Sequence, residues 1–143
     1  MLPRWHILFG ALFALFIWVI TPDINVIYVL LAFLASFLMD FDHYLASATK
    51  TKKLSFLHSL DYHKEMQKTE EKELNKGIRR KGDFHIFHTV EFHLLVAVLG
   101  LLWTGFFYIF IGMLFHSFLD LGYSLHKDRF YRREYFLINW LKK

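Results

Sequence analysis

The chain has 143 residues, of which 55% are apolar, 20% aromatic and 17 are phenylalanine. Only 21% are charged, the formal net charge is +4, and the mean hydropathy is +0.30. Charge must therefore be segregated into a few stretches, which excludes disorder, collagen-like repeats and coiled coil, while a soluble globule this small would leave most of its helices half wet. The absence of cysteine excludes disulfides, thiolate metal sites and a cysteine nucleophile. Any metal chemistry must use the nine histidines together with Asp and Glu.

Four apolar runs, about 5–20, 24–39, 92–103 and 106–120, follow one another along the chain. Each is shorter than the ~20 residues of an upright span, so the expected helices extend past the run on one side. Thr21-Pro22-Asp23 separates the first two, because proline cannot continue a helix. Thr104-Gly105 separates the last two. The reading is an all-α integral membrane bundle of four transmembrane helices in two hairpins, forming a single membrane domain. It carries a cytoplasmic insertion over 44–84 and a basic, amphipathic tail over 126–143. The first run lacks a small-residue cleavage site and reads as an uncleaved span.

Basic residues support this topology. Arg4 precedes the first run, ten Lys and Arg lie from Lys50 to Lys81, and six follow the fourth run, accounting for all 17. The short turns have none, which puts both termini and the insertion on the cytoplasmic side of a prokaryotic inner or plasma membrane. Trp18, Tyr28 and Trp103 fall at the opposite interface. Gly10 and Ala14 form a small-xxx-small face for close packing. In the insertion, 55–62 reads as a short interfacial helix and 64–76 as a charged, solvated helix ended by Gly77. The tail interleaves bases with Phe130, Tyr131, Tyr135, Phe136 and Trp140, a pattern assigned to anionic lipid rather than nucleic acid.

Three ionisable clusters sit at the cytoplasmic ends of these helices: Asp40-Phe-Asp42-His43, His85 to His93, and His116 to Asp120. Topology brings together groups that lie about 75 residues apart. His116 and Asp120, at i,i+4, share a helix face as a metal-binding pair would. An ionised Asp in a span costs roughly 2.5–3.5 kcal/mol, which a shared divalent cation offsets. Asp40 and His43 share a face at i,i+3, whereas Asp42 joins them only if the helix unwinds. At least one of Asp40 and Asp42 is expected as a ligand, and two of His85, His88 and His93. His85, His88 and Glu91 fall on one helical face. His58 and His63, near Asp61, are further candidates; His6 lies on the same side but alone, and His126 reads as solvated. Ser36-Phe-Leu-Met-Asp40 is echoed by Ser117-Phe-Leu-Asp120.

Imidazole with carboxylate suits Zn²⁺ first, with Mn²⁺ or Fe²⁺ as alternatives, and the donors suffice for two or three ions. The natural chemistry is hydrolysis, in which a metal acidifies water and polarises the attacked oxygen. Glu91 or Asp42 is then the general base. No phosphate-binding glycine loop, HExxH helix or serine triad order is present.

At these residues the chain resembles the YdjM-like family of predicted membrane-bound metal-dependent hydrolases. Leu38-Met-Asp40-Phe-Asp42-His43 is similar to that family's L-P-D-x-D-H segment. His88-Thr-Val-Glu-Phe-His93 resembles its second segment in histidine spacing alone. Gly112-Met-Leu-Phe-His116-Ser-Phe-Leu-Asp120 resembles its G-x-x-x-H-x-x-x-D span. The resemblance implies a zinc-type site of Asp40, Asp42, His43, His88, His93, His116 and Asp120, and a distant likeness to the zinc phospholipase C and P1 nuclease group. The expected activity is hydrolysis of a lipid-like ester or phosphoester at the cytoplasmic membrane face. A metal-binding scaffold, or a divalent-metal transporter, stands as the alternative.

Overall fold

Proline and polar caps divide the apolar sequence into separate helices. The first, α1 (Pro3–Ile20), stops ahead of Pro22. The next, α2 (Val26–Leu38), starts at Asn25, whose side-chain oxygen accepts from Ile27 N–H at 2.9 Å, supplying one of the bonds a helix start lacks. After a turn at Met39 and Asp40 the chain continues as α3 (Phe41–Thr51) and then α4 (Phe56–Asn75). A 3-10 turn at Ile86–His88 leads into α5 (Val90–Leu99), and α6 (Thr104–His126) is the longest helix. A second 3-10 turn (Phe130–Arg132) precedes the short α7 (Leu137–Leu141). The computed structural model describes residues 3–142, and among them there is no strand.

Several boundaries differ from the sequence reading. Residues 55–62 and 64–76 form one continuous helix, because Ser55 caps it at His58 N–H and nothing breaks it before Asn75. Gly77 does end it, at φ +72°. Gly77 N–H bonds Leu74 O and Ile78 N–H bonds Glu73 O, both at 2.9 Å, a Schellman closure. The helix expected over 85–93 begins only at Val90, since Thr89 is its N-cap and accepts from Phe92 N–H. That helix also ends at Leu99 rather than 103. Its ten residues make it ~15 Å long, about half the hydrocarbon thickness of a bilayer. The helix expected over 106–120 instead runs to His126.

Helix α2 packs along both α1 and α6, and α5 packs against α6. Small residues set these approaches. A Cβ on Gly10 would collide with the Ser36 hydroxyl, and one on Gly112 with the carbonyl oxygen of Ala32. Ala14, Ile17, Val29 and Ala32 form one buried cluster, and Met39, Val96 and Met113 another.

Two helical stretches are long and apolar enough to cross a membrane: Val26–Thr51, at 26 residues, and Thr104–His126, at 23. Two shorter apolar helices, Arg4–Ile20 and Val90–Leu99, accompany them. Only 28% of the apolar window in each long stretch is buried, whereas a core helix of a soluble protein is covered on most sides. The outward faces carry Leu12, Phe16, Val19, Leu30, Leu94 and Phe107, all exposed.

The tail folds back onto the bundle. Val90 N–H donates to Tyr135 O at 2.9 Å, Gly82 N–H to Arg132 O at 2.8 Å, and Phe84 stacks on Trp140 with centroids 4.4 Å apart. Beneath it, Asp83 accepts from Tyr62 at 3.1 Å and from Lys50 Nζ, joining α3, α4 and the loop before α5. Burial opposes ionisation of Asp83, but these two bonds hold its carboxyl below the usual carboxylate range.

Candidate metal centre

The turn between α2 and α3 decides how Asp40, Asp42 and His43 are presented. It tightens rather than unwinds. Asp40, Asp42 and His43 each donate their N–H to the residue three back: Phe37, Met39 and Asp40. This 3-10 winding stacks i over i+3, so Asp40 and His43 stay together, with His43 Nε2 3.4 Å from Asp40 Oδ1. Asp42 is turned to the other flank. Its Oδ2 accepts from Phe87 N–H at 3.1 Å and lies 3.0 Å from His88 Nδ1.

Asp40 meets α6 instead. Its Oδ1 is 3.6 Å from His116 Nε2, and His116 Nε2 is 3.5 Å from Asp120 Oδ2. His6 of α1 completes this side. His6 Nε2 lies 3.1 Å from Asp120 Oδ1 and 3.9 Å from Asp40 Oδ2, while its ring stacks on that of His116 at 3.9 Å. His6, His116 and Asp120 are almost wholly buried.

Three groups of donors result, with the atoms of each within 4.8 Å of one another: His6, Asp40, His116 and Asp120; Asp40, His43 and His88; and Asp42, His43 and His85. Asp40 links the first to the second, and His43 the second to the third. The donors form a connected row and not isolated pairs.

The hydrogen bonds around the rings determine what the row can do. Ser36 O can only accept, so the 2.8 Å contact to His116 Nδ1 places the proton on Nδ1. The Asp42 carboxylate does the same for His88 Nδ1. In the neutral rings both Nε2 atoms are bare lone pairs, and they face each other at 3.1 Å. Asp40 Oδ2 and Asp42 Oδ1 are buried without a hydrogen-bond partner, which is costly for a carboxylate. A cation beside the two Nε2 atoms removes the repulsion and satisfies Asp40. The residues present therefore fit a divalent metal ion, with Ser36 O and Asp42 orienting the ligand rings as outer partners commonly do.

In the loop before α5, burial pushes the His85 imidazole down to about 4 from 6.5, with Asp42 opposing and Arg133 reinforcing the shift. Burial likewise holds His88 well below the ordinary histidine value. Both rings are accordingly neutral, the form that binds metal.

Other candidates lie elsewhere. His93 falls outside the three groups: its Nδ1 donates to Thr89 O at 2.8 Å and its Nε2 meets Ser117 Oγ at 3.0 Å. It is a buried, satisfied histidine tying α5 to α6. Glu91 is turned to the tail, accepting from Leu137 N–H at 2.9 Å and Ile138 N–H at 3.2 Å, because α5 starts too late for it to share a face with His85 and His88. His63 supports the site indirectly, donating from Nε2 to His43 O at 2.9 Å. His58 joins none of the three groups.

Two residues were undervalued by sequence reasoning. His6 stands alone in sequence and acquires partners only through the α1–α2–α6 packing. Arg133, read as a lipid-facing base, donates from Nη2 to Asp120 Oδ2 at 2.8 Å. No local pattern marks either one.

Compared with known proteins, the chain matches no family model, no curated protein and no solved structure.

Proposed function

We propose that this protein is a four-span membrane-bound hydrolase, dependent on a divalent metal and related to the YdjM-like family, with its site at the cytoplasmic face. The connected row of donors sharing Asp40 and His43 carries this reading. Zinc suits it best. Ligand atoms around a tetrahedral ion with bonds of about 2.0–2.1 Å lie about 3.3 Å apart. The contacts of His116 Nε2 with His88 Nε2, Asp120 Oδ2 and Asp40 Oδ1 are 3.1, 3.5 and 3.6 Å.

Depth supports the placement. Asp120 lies sixteen residues beyond Thr104, the first residue of α6, or ~24 Å along the axis. If Thr104 marks one edge of a ~30 Å hydrocarbon layer, Asp120 lies just inside the other, on the side holding every Lys and Arg.

In this proposal His6, Asp40, His116 and Asp120 hold the principal ion, and His88 and His43 extend the ligand row. When bound, the metal acidifies water and polarises the substrate oxygen. Asp42, with one buried oxygen lacking a partner beside His85, accepts the proton. Its Oδ1 lies 3.5 Å from His85 Nδ1, which takes the proton onward. Substrates presented at headgroup level, lipid-like esters or phosphoesters, reach such a site without leaving the membrane.

Elemental analysis of detergent-purified protein, wild type against Asp120→Ala, tests the metal. One equivalent or more of zinc in wild type and a large loss in the variant uphold it; no transition metal in either, after metal-replete expression without chelators, rejects it. Hydrolysis of lipid phosphoesters by the zinc-loaded wild type, lost in Asp42→Asn with zinc retained, separates an enzyme from a scaffold.

A further inference from the structure

A cavity of about 230 Å³ adjoins the donor row, lined by His43, His85 and Asp120 together with Arg129, Arg132 and Arg133. The arginines differ in what they do. Arg129 and Arg132 both pair with Glu70, at 3.1 and 3.0 Å, and Arg129 also with Glu71. Burial raises the Glu70 carboxyl, and its two cationic neighbours are what keep a charge there tolerable. Arg133 alone of the three reaches the donor row, through Asp120.

We propose that Arg133 is the anion-recognising residue of this site and that its ligand carries a phosphate group, a proposal resting on the metal-centre reading above. A guanidinium has five N–H donors in a planar fork, so Arg133 can hold Asp120 with one nitrogen and phosphate oxygens with others. A metal shared by Asp120 offsets the carboxylate charge that now balances Arg133. The guanidinium, mostly buried, then requires another anion. A neutral ester offers only a weak carbonyl acceptor, whereas phosphate matches the fork and binds with charge-assisted bonds. The backbone holds the residue in place: Gly82 N–H bonds Arg132 O at 2.8 Å, and Lys81 Nζ reaches Arg133 O at 3.4 Å. The cavity is smaller than the ~300–1,000 Å³ of drug-sized sites, which suits a headgroup fragment and leaves acyl chains outside.

The test is phosphate binding to zinc-loaded, full-length protein in a maltoside detergent, measured by calorimetry for wild type, Arg133→Gln and Arg133→Lys, with zinc content determined in each. Inorganic phosphate should bind wild type, bind Arg133→Gln at least about tenfold more weakly at unchanged zinc content, and bind Arg133→Lys at intermediate strength. Equal affinity in wild type and Arg133→Gln, both holding zinc, overturns the proposal and leaves the metal centre intact. Loss of zinc from Arg133→Gln also overturns it, since Arg133 would then serve only to support Asp120. Absence of zinc from wild type overturns the metal centre itself and this proposal with it. A second arm replaces phosphate with phosphatidic acid in mixed micelles. Tighter, Arg133-dependent binding there assigns the phosphate to a lipid headgroup, and equal or weaker Arg133-dependent binding assigns it to a soluble ester; either upholds the proposal. Binding of phosphatidic acid unaffected by Arg133→Gln overturns it.

Discussion

His88 Nε2 and His116 Nε2 face each other at 3.1 Å across the interior of the helix bundle. Each ring has its other nitrogen committed, to Asp42 and to Ser36 O respectively. Two lone pairs at this distance repel, and the carboxylates of Asp40 and Asp120 close by add negative charge. A cation among the donors, whether a divalent metal ion or a proton shared by the two rings, relieves both.

Removing the cation should therefore be felt throughout the bundle. Chelation is expected to lower the unfolding temperature of wild type in detergent, since a ligand bound only to the native state stabilises it by mass action. His116→Ala and Asp120→Ala should each lose most of the bound metal and show little further response to chelator. Elemental analysis and thermal scans with and without EDTA check this. A wild-type transition indifferent to chelator contradicts it.

Gly112 and Gly122, both on α6, should behave oppositely. Alanine at Gly112 would drive a methyl into Ala32 O, whereas nothing lies within 4 Å of a Cβ on Gly122. Gly112→Ala should cost about 1–3 kcal/mol and reduce metal content, because it parts α6 from the α2 carbonyl that orients His116. Gly122→Ala should be neutral, or stabilising by up to about 1 kcal/mol through helix propensity. Unfolding midpoints of the two variants, read side by side, decide the matter.

Glu91 is bonded to the tail and joins none of the three donor groups. Glu91→Gln should leave metal content at the wild-type level while weakening the bonds to Leu137 and Ile138 N–H. Limited proteolysis should then cut the tail faster in the variant. Unchanged cleavage together with lost metal would return Glu91 to the site.

Acid should destabilise the protein through its neutral imidazoles. His85 titrates at about 4 in the fold against 6.5 unfolded, so the unfolded chain binds the proton first. The His85 contribution is complete above pH 6.5 and is lost as pH falls toward 4, amounting to no more than about 3 kcal/mol. His88, also depressed, acts in the same direction. Unfolding temperature should drop over this window in wild type and drop less in His85→Gln. An equal drop in both would rule the assignment out.

Much of the architecture was legible in the residues. Pro22 and Gly77 mark helix ends by local chemistry, and both act as such in the structure. The i,i+4 spacing of His116 and Asp120 needed only helical geometry. Glu91 and His93 fall outside the donor groups because Thr89 caps α5, so His85 and His88 lie before the helix that carries Glu91 and His93 and share no helical face with them. The single interfacial helix at 55–62 failed because no residue between Tyr62 and Asn75 forces a break.

Sequence alone determined that this is a helical, strongly apolar chain with its basic residues confined to a few stretches and acids and imidazoles clustered near the ends of apolar runs. Periodicity, proline and the partition of charge are local properties, and a reader of the residues has them in full. Only the tertiary structure decided that Asp40 and Asp42 turn to opposite flanks, that His6 joins them from the other end of the chain, and that Arg133 closes over Asp120. Those relations depend on a tightened turn, on helices brought close by Gly10 and Gly112, and on a tail that folds back over the loop before α5. They are contacts between distant segments, and no spacing along the chain encodes them.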